Sequence, residues 1–300
     1  MSTPKKATPT DSSAPAERAD VRKTYKLYVG GAFPRSESGR TYVVNDHAGR
    51  FLANAAAGSR KDVRDAVVAA RKAFGGWSAR TPYNRGQVVY RVAEVLEGRR
   101  AQFEQELREA EGISAAKARQ FVDAAVDRLV WYAGWPDKIA QVVGATNPVA
   151  GPYLNVSSPE PTGVVGVVAP TGPLLGLVSV VAPLVAVGNT CVVLASEAHP
   201  LPAITLAEVL ATSDVPGGVV NILTGRQADM APTLASHMDV NGLDLTGVTD
   251  PEVATTLEEA AAENLKRVRR PGPESLLETP SLDRMTRFLE TKTVWHPVGV

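Results

Sequence analysis

From residue 163 onward the sequence alternates between short apolar runs and segments of helix length. The runs are residues 164–169, 191–194, 219–223 and 243–245; the longer segments are 174–187, 204–212, 229–237 and, after the last run, 252–266. A strand with one wet face alternates polar and apolar residues. Near-continuous apolar strands are buried on both faces, and helices between them supply the cover. Right-handed crossovers then give an α/β fold with a doubly wound parallel sheet. In such sheets ligands sit outside the carboxyl ends of the strands. Here those ends are Pro170-Thr171-Gly172, Ala195-Ser196-Glu197, Thr224-Gly225-Arg226 and Thr246-Gly247-Val248.

The first half reads differently. Residues 26–46 suggest two short strands around glycine turns. Ser59 is a good helix N-cap, and Val63, Val67, Ala70 and Phe74 follow at helical spacing, with Gly75-Gly76 expected to stop the helix. A second helical stretch, one helix or two, closes near Gly112. A third carries Phe121, Ala125, Leu129 and Tyr132 on one stripe. Residues 139–161, rich in Pro and Gly, read as extended. Residues 1–22 hold Ser, Thr, Pro, Ala and charge without an apolar segment, so we expect a disordered tail and no secretory signal.

Lys plus Arg and Asp plus Glu both total 32, which gives no support to nucleic-acid binding or to a polybasic membrane surface. The one basic cluster, Lys266-Arg267-Val268-Arg269-Arg270, reads as a solvated helix end, where cations suit the dipole. The apolar runs are too short and too interrupted to span a membrane. A single cysteine, Cys191, permits no internal disulfide and fits a reducing, cytoplasmic setting. It lies within an apolar strand and is expected to be buried and inert. His47, His199, His237 and His296 share no ligand spacing with it, so no metal site is expected.

An ordered set of segments then carries a resemblance: LYVGGAF, AVVAARKAFGGWS, YAGWPDKI, PTGVVGVVAP, APLVAVGNTCVVLASE, VPGGVVNILTG, ASHMDVNGLDLTG and AAAENLKRV, with FLETKTVWHPVG near the end. Across residues 25–268 the chain resembles the NAD(P)-dependent aldehyde dehydrogenases. The resemblance implies a Rossmann-like NAD(P)-binding-type domain over 23–131 and 160–275. It also implies a small antiparallel oligomerisation hairpin and C-terminal strand in 132–159 and 282–300.

The same resemblance exposes departures. The family's Pro-Trp-Asn-Phe-Pro turn, whose Asn helps bind the oxyanion, is matched by Pro170-Thr171-Gly172-Pro173, which has no amide side chain. A family Lys in the next helix is matched by Val180. Lys-Pro-Ser/Ala-Glu, which serves the adenosine ribose, is matched by Leu194-Ala195-Ser196-Glu197. The Phe-Thr-Gly-Ser turn that receives the pyrophosphate reads Leu245-Thr246-Gly247-Val248, with Glu252 at its second glycine position and Asp250 placed as an N-cap. Pro271 stands near the general base. Cys191 does not match the nucleophile, whose segment has no counterpart.

The resemblance therefore implies no catalytic residue and a weak NAD or NADP site at Pro170, Thr171, Glu197, Gly225, Thr246, Gly247 and Val248. Restoring Leu194→Lys and Glu252→Gly is expected to strengthen it if the crevice is otherwise intact. An aldehyde dehydrogenase needs a thiolate, an oxyanion donor, a hydride acceptor and a base. The foremost expectation is a non-catalytic subunit that forms a homo-oligomer or joins a full-length aldehyde dehydrogenase paralogue. The alternatives are an oxidoreductase with catalytic groups supplied by a partner, and a weak nucleotide-binding module.

Overall fold

The computed structural model describes residues 23–272 and 275–299; the tail over residues 1–22 lies outside the described residues. β1 (Thr24–Tyr25), β2 (Thr41–Asn45) and β3 (Phe51–Ala56) form a small sheet of order β1-β3-β2. α1 (Arg60–Ser78) opens on a capping box: the Ser59 hydroxyl accepts from Asp62 N–H, and the Asp62 carboxylate accepts from Ser59 N–H at 2.8 Å. Gly75-Gly76 do not stop it. Neither glycine takes a positive φ, and the helix continues to Ser78. The gain is Trp77, which the extra turn seats in the core with its indole N–H donating to the Val185 carbonyl at 3.0 Å. That burial outweighs the cost of about 1 kcal/mol for each helical glycine.

α2 (Pro82–Gly98), α3 (Arg100–Glu111) and α4 (Ala115–Ala133) follow, and α3 ends at Gly112, whose left-handed φ of +67° favours glycine. Ala125, Leu129 and Tyr132 of the expected stripe are buried, and Phe121 packs at its margin. The segment read as extended begins instead with a short helix, α5 (Ile139–Val143), because Ile139 turns inward to pack in the core. β4 (Ala145–Asn147) and β5 (Tyr153–Pro161) come next.

The chain then lays down β6 (Val164–Val168), α6 (Leu175–Ala186), β7 (Thr190–Leu194), α7 (Leu201–Ala211), β8 (Val220–Leu223), α8 (Gln227–Ser236), β9 (Gly242–Asp244), α9 (Pro251–Ala262) and β10 (Arg267–Arg269). Their order is β10-β9-β6-β7-β8, and every pairing is parallel. The doubly wound sheet is as the apolar runs require. Because side chains alternate across a strand, each strand feeds two cores. Val165, Val167, Cys191, Val193 and Ile222 join α2, α4, α6 and α7 on one face. Val164, Val168, Val192, Leu194 and Leu223 join α1, α8 and α9 on the other. Beyond β8, Tyr28 exchanges backbone hydrogen bonds with Ile222 at 2.9 and 2.7 Å and so covers that edge.

The basic cluster is not a helix end. α9 stops at Ala262, Leu265 takes a φ of +56°, and Arg267–Arg269 form β10, the outer strand beside β9. Charged residues at an exposed sheet edge hinder pairing with a further strand, and here they have local partners: Arg267 is bidentate to Glu290 at 2.6 and 2.7 Å. Buried Arg85 performs a different task. It donates to the Ala186 carbonyl at 3.1 Å and the Ser78 carbonyl at 3.2 Å, serving the last carbonyls of α6 and α1 together.

α10 (Asp283–Thr286) leads into β11 (Leu289–Pro297), which pairs antiparallel with β5 from Leu289 opposite Pro161 to Pro297 opposite Tyr153. The terminal strand thus docks on this chain's own hairpin, in a sheet of order β11-β5-β4.

Candidate functional site

The order of the parallel sheet fixes where a ligand crevice lies. From β6 the chain proceeds through β7 to β8, then crosses back to β9 and β10 on the other side. Connections on either side of β6 therefore run to opposite directions, and a crevice opens at the carboxyl ends. Five of the seven sequence-derived positions border that end of β6, β7 and β9: Pro170, Thr171, Glu197, Thr246 and Gly247.

Gly247 joins the two sides of the switch point. Its N–H donates to the Val168 carbonyl at 2.9 Å, and a Cβ placed on it would lie 2.1 Å from the Ala169 carbonyl oxygen. Only glycine permits that approach. Thr246 is engaged below: its N–H donates to Asp244 Oδ1 at 2.9 Å, its hydroxyl donates to the same oxygen, and Arg269 Nη1 donates to its Oγ1 at 3.0 Å. Asp244 also receives Arg284 Nη1 at 3.2 Å, a pair in which both side chains are nearly inaccessible. Val248 is core rather than crevice. Gly225, with φ of +129°, serves a close crossing: a Cβ there would lie 2.8 Å from the Gly58 nitrogen. Gly225 thus stands just beyond the carboxyl end of β8, and Val248 follows Gly247 with its side chain in the core.

The residue that sequence reasoning missed is Gln227, the first of α8. Its side-chain Nε2 lies 3.3 Å from the Ala169 carbonyl, 3.3 Å from that of Leu194 and 3.0 Å from that of Ala195. Its backbone N–H donates to Glu197 Oε2 at 3.3 Å. Glu197 is thereby turned onto the start of α8, where a carboxylate suits the dipole. Nothing in the local sequence marks Gln227, since Gln in a first helical turn is ordinary. At α9, Asp250 accepts from Glu252 N–H at 2.8 Å and Pro251 brings no N–H, so the expected cap is formed. Leu194 is fully buried.

Gly172 lines a cavity of about 300 Å³ whose wall includes five leucines, Phe121 and one carboxyl, Glu111. Burial raises the Glu111 carboxyl above the usual carboxylate range. Cys191 is remote from all of this. It is three residues, about 10 Å, from the carboxyl end of β7, completely buried, and burial pushes its thiol up to about 12. Thiolate being the reactive form, native protein is expected to react with a disulfide reagent only at the pace of unfolding. Rapid stoichiometric labelling in a time course without denaturant contradicts this placement. Among the described residues no group of His, Cys, Asp and Glu is arranged to hold a metal ion, and no helix is long and apolar enough to cross a membrane.

The same fold recurs in known proteins. A putative aldehyde dehydrogenase, DhaS, of Bacillus subtilis is 35% identical over 257 residues, covering 83% of this chain and 50% of that protein. Cytosolic aldehyde dehydrogenase 1 of Elephantulus edwardii is 34% identical, covering 86% of this chain and 52% of that protein. An NAD+ complex of aldehyde dehydrogenase from Bacillus cereus superposes with a TM-score of 0.77 at 29% identity, over 82% of this chain and 50% of that one. The chain thus spans about half the length of the curated relatives it matches. With the family's own model matching residues 33–270, which hold the whole parallel sheet and its crevice, the chain belongs to the aldehyde dehydrogenase family.

Proposed function

We propose that this chain acts as a non-catalytic aldehyde dehydrogenase-family subunit, in a homo-oligomer or with a full-length paralogue. The observation that carries the reading is β11. One of its edges is paired with β5 along its length, and the other edge is open among the described residues. An open nine-residue edge is a template for another chain. Tyr153 and Trp295 stand on this sheet as an exposed edge-to-face pair 5.9 Å apart, with Leu154, Val294 and Val298 also exposed.

Chemistry points the same way. A thiohemiacetal needs a thiolate, and Cys191 is sealed in the sheet. The arrangement at the crevice does not fit a nicotinamide dinucleotide: Gln227 lies on the carbonyls of three residues at the strand ends, and α9 is served by its own carboxylate. NAD or NADP binding is accordingly weak. We place the protein in the cytoplasm, as the name of its Elephantulus relative suggests.

The test is native mass measurement together with co-purification on a full-length aldehyde dehydrogenase of the same cell. Phe288 is a core residue whose carbonyl accepts from Asn189 Nδ2 at 2.9 Å, so the truncation begins after it. Deleting residues 291–300 is expected to leave the circular dichroism spectrum intact while shifting the mass toward monomer and abolishing capture. Unchanged mass and capture mean that the strand is intrachain packing alone. Dehydrogenase activity that appears only in the captured complex would favour the alternative, an oxidoreductase completed by its partner.

A further inference from the structure

We propose that Gln227 is a built-in occupant of the nucleotide crevice, holding the groups that an adenosine ribose would use. The proposal rests on the reading of this crevice as the family's nucleotide site.

The last carbonyls of a parallel strand point out of the sheet without a following strand residue to serve them, and they need donors. At the ends of β6 and β7 these are the carbonyls of Ala169 and Ala195; that of Leu194 already accepts from the Ala169 N–H at 3.0 Å, and the Gln227 amide lies 3.0–3.3 Å from all three. A primary amide has two N–H donors, so it serves three acceptors by sharing. A ribose diol presents donors of the same kind, two hydroxyl groups. The other polar group on this side is the Glu197 carboxylate, able to accept from a ribose hydroxyl. It is taken by the backbone N–H of the same residue at 3.3 Å. One residue therefore engages both the carbonyls and the carboxylate that the crevice offers to a sugar.

Such an occupant competes without being consumed. When the binding-competent state is a fraction of the population, the apparent dissociation constant rises by the inverse of that fraction. The side chain is tethered at the start of α8, so its local concentration is high and free nucleotide is at a disadvantage. The crevice is then closed by a side chain able to swing away, rather than by loss of the backbone surface itself. Glycine at 247 still permits the close approach of the two sides. Reopening the adenosine side requires one substitution and no rebuilding of the sheet.

Calorimetric titration of the full chain with NAD+ and separately with 5′-AMP tests this. Gln227→Ala and Gln227→Ser are each compared with the parent, after circular dichroism and a cooperative melt establish that they fold. Removal of the amide is expected to tighten NAD+ by about tenfold or more, the scale of one or two polar contacts. 5′-AMP should reproduce the gain, because the freed groups are those for adenosine. Adding Glu197→Ala to Gln227→Ala should abolish most of it. Folded variants that bind no tighter than the parent overturn the proposal. So does a parent chain that already binds NAD+ at low micromolar concentration. Failure of both single variants to fold also overturns it, since the amide is then a structural support. Association with a full-length homologue is read by co-purification, so loss of that reading leaves this result standing.

Discussion

Replacing Arg284 by Met is expected to lower the stability of the chain by about 3–5 kcal/mol, the cost of leaving one member of a buried ion pair without the other. Arg284 and Asp244 are 3% and 2% exposed, and Nη1 lies 3.2 Å from Oδ2. The Asp244 carboxylate keeps the Thr246 N–H and hydroxyl on its other oxygen, but those neutral donors do not replace a cation. The pair also has a topological role. Arg284 belongs to α10, which delivers the chain to β11, and Asp244 closes β9 at the crevice. Urea unfolding of Arg284→Met should therefore show a lower midpoint. The double variant Asp244→Asn with Arg284→Met should lose less than Arg284→Met alone, because no charge is then stranded. A single variant within about 1 kcal/mol of the parent would mean the site is wetter than its burial implies.

Trp77→Ala is expected to cost a similar amount, about 3–5 kcal/mol, through the cavity left by the largest fully buried side chain. Trp77→Phe separates the two contributions. It keeps most of the apolar volume and removes only the indole donor to the Val185 carbonyl. The lost hydrogen bond puts that variant about 1 kcal/mol below the parent, since the Val185 carbonyl keeps the Gly188 N–H at 3.1 Å. Both are read from denaturant midpoints. If Trp77→Ala and Trp77→Phe fall together, the hydrogen bond rather than the ring holds α1 against α6.

The sequence contains the plan of the parallel sheet, and the reason is local. The runs at 164–169 and 191–194 are apolar at every position except for the glycine of the first, which only a two-sided burial explains. The caps were equally readable, because Ser59, Gly112 and Asp250 act on residues within one turn of themselves. The same runs located the strand-end turns, and resemblance indicated that Leu194, Glu252 and Pro271 depart from the family. It also marked the terminal strand, whose pairing with β5 belongs to the fold.

Other features depend on chain segments far apart, and no local pattern encodes them. Gly75-Gly76 carry a stop signal that Trp77 overrides from within a core built by α6, more than a hundred residues later. Arg267–Arg269 look like a helix end until β9 offers a parallel neighbour, after which the backbone pairing decides. Asp244 and Arg284 meet across 40 residues. Gln227 reaches carbonyls that the sheet alone brings together. Periodicity determined which segments are strands and which faces they bury. Only the packed sheet decided which carbonyls end side by side, and therefore that the crevice is filled by the protein's own amide.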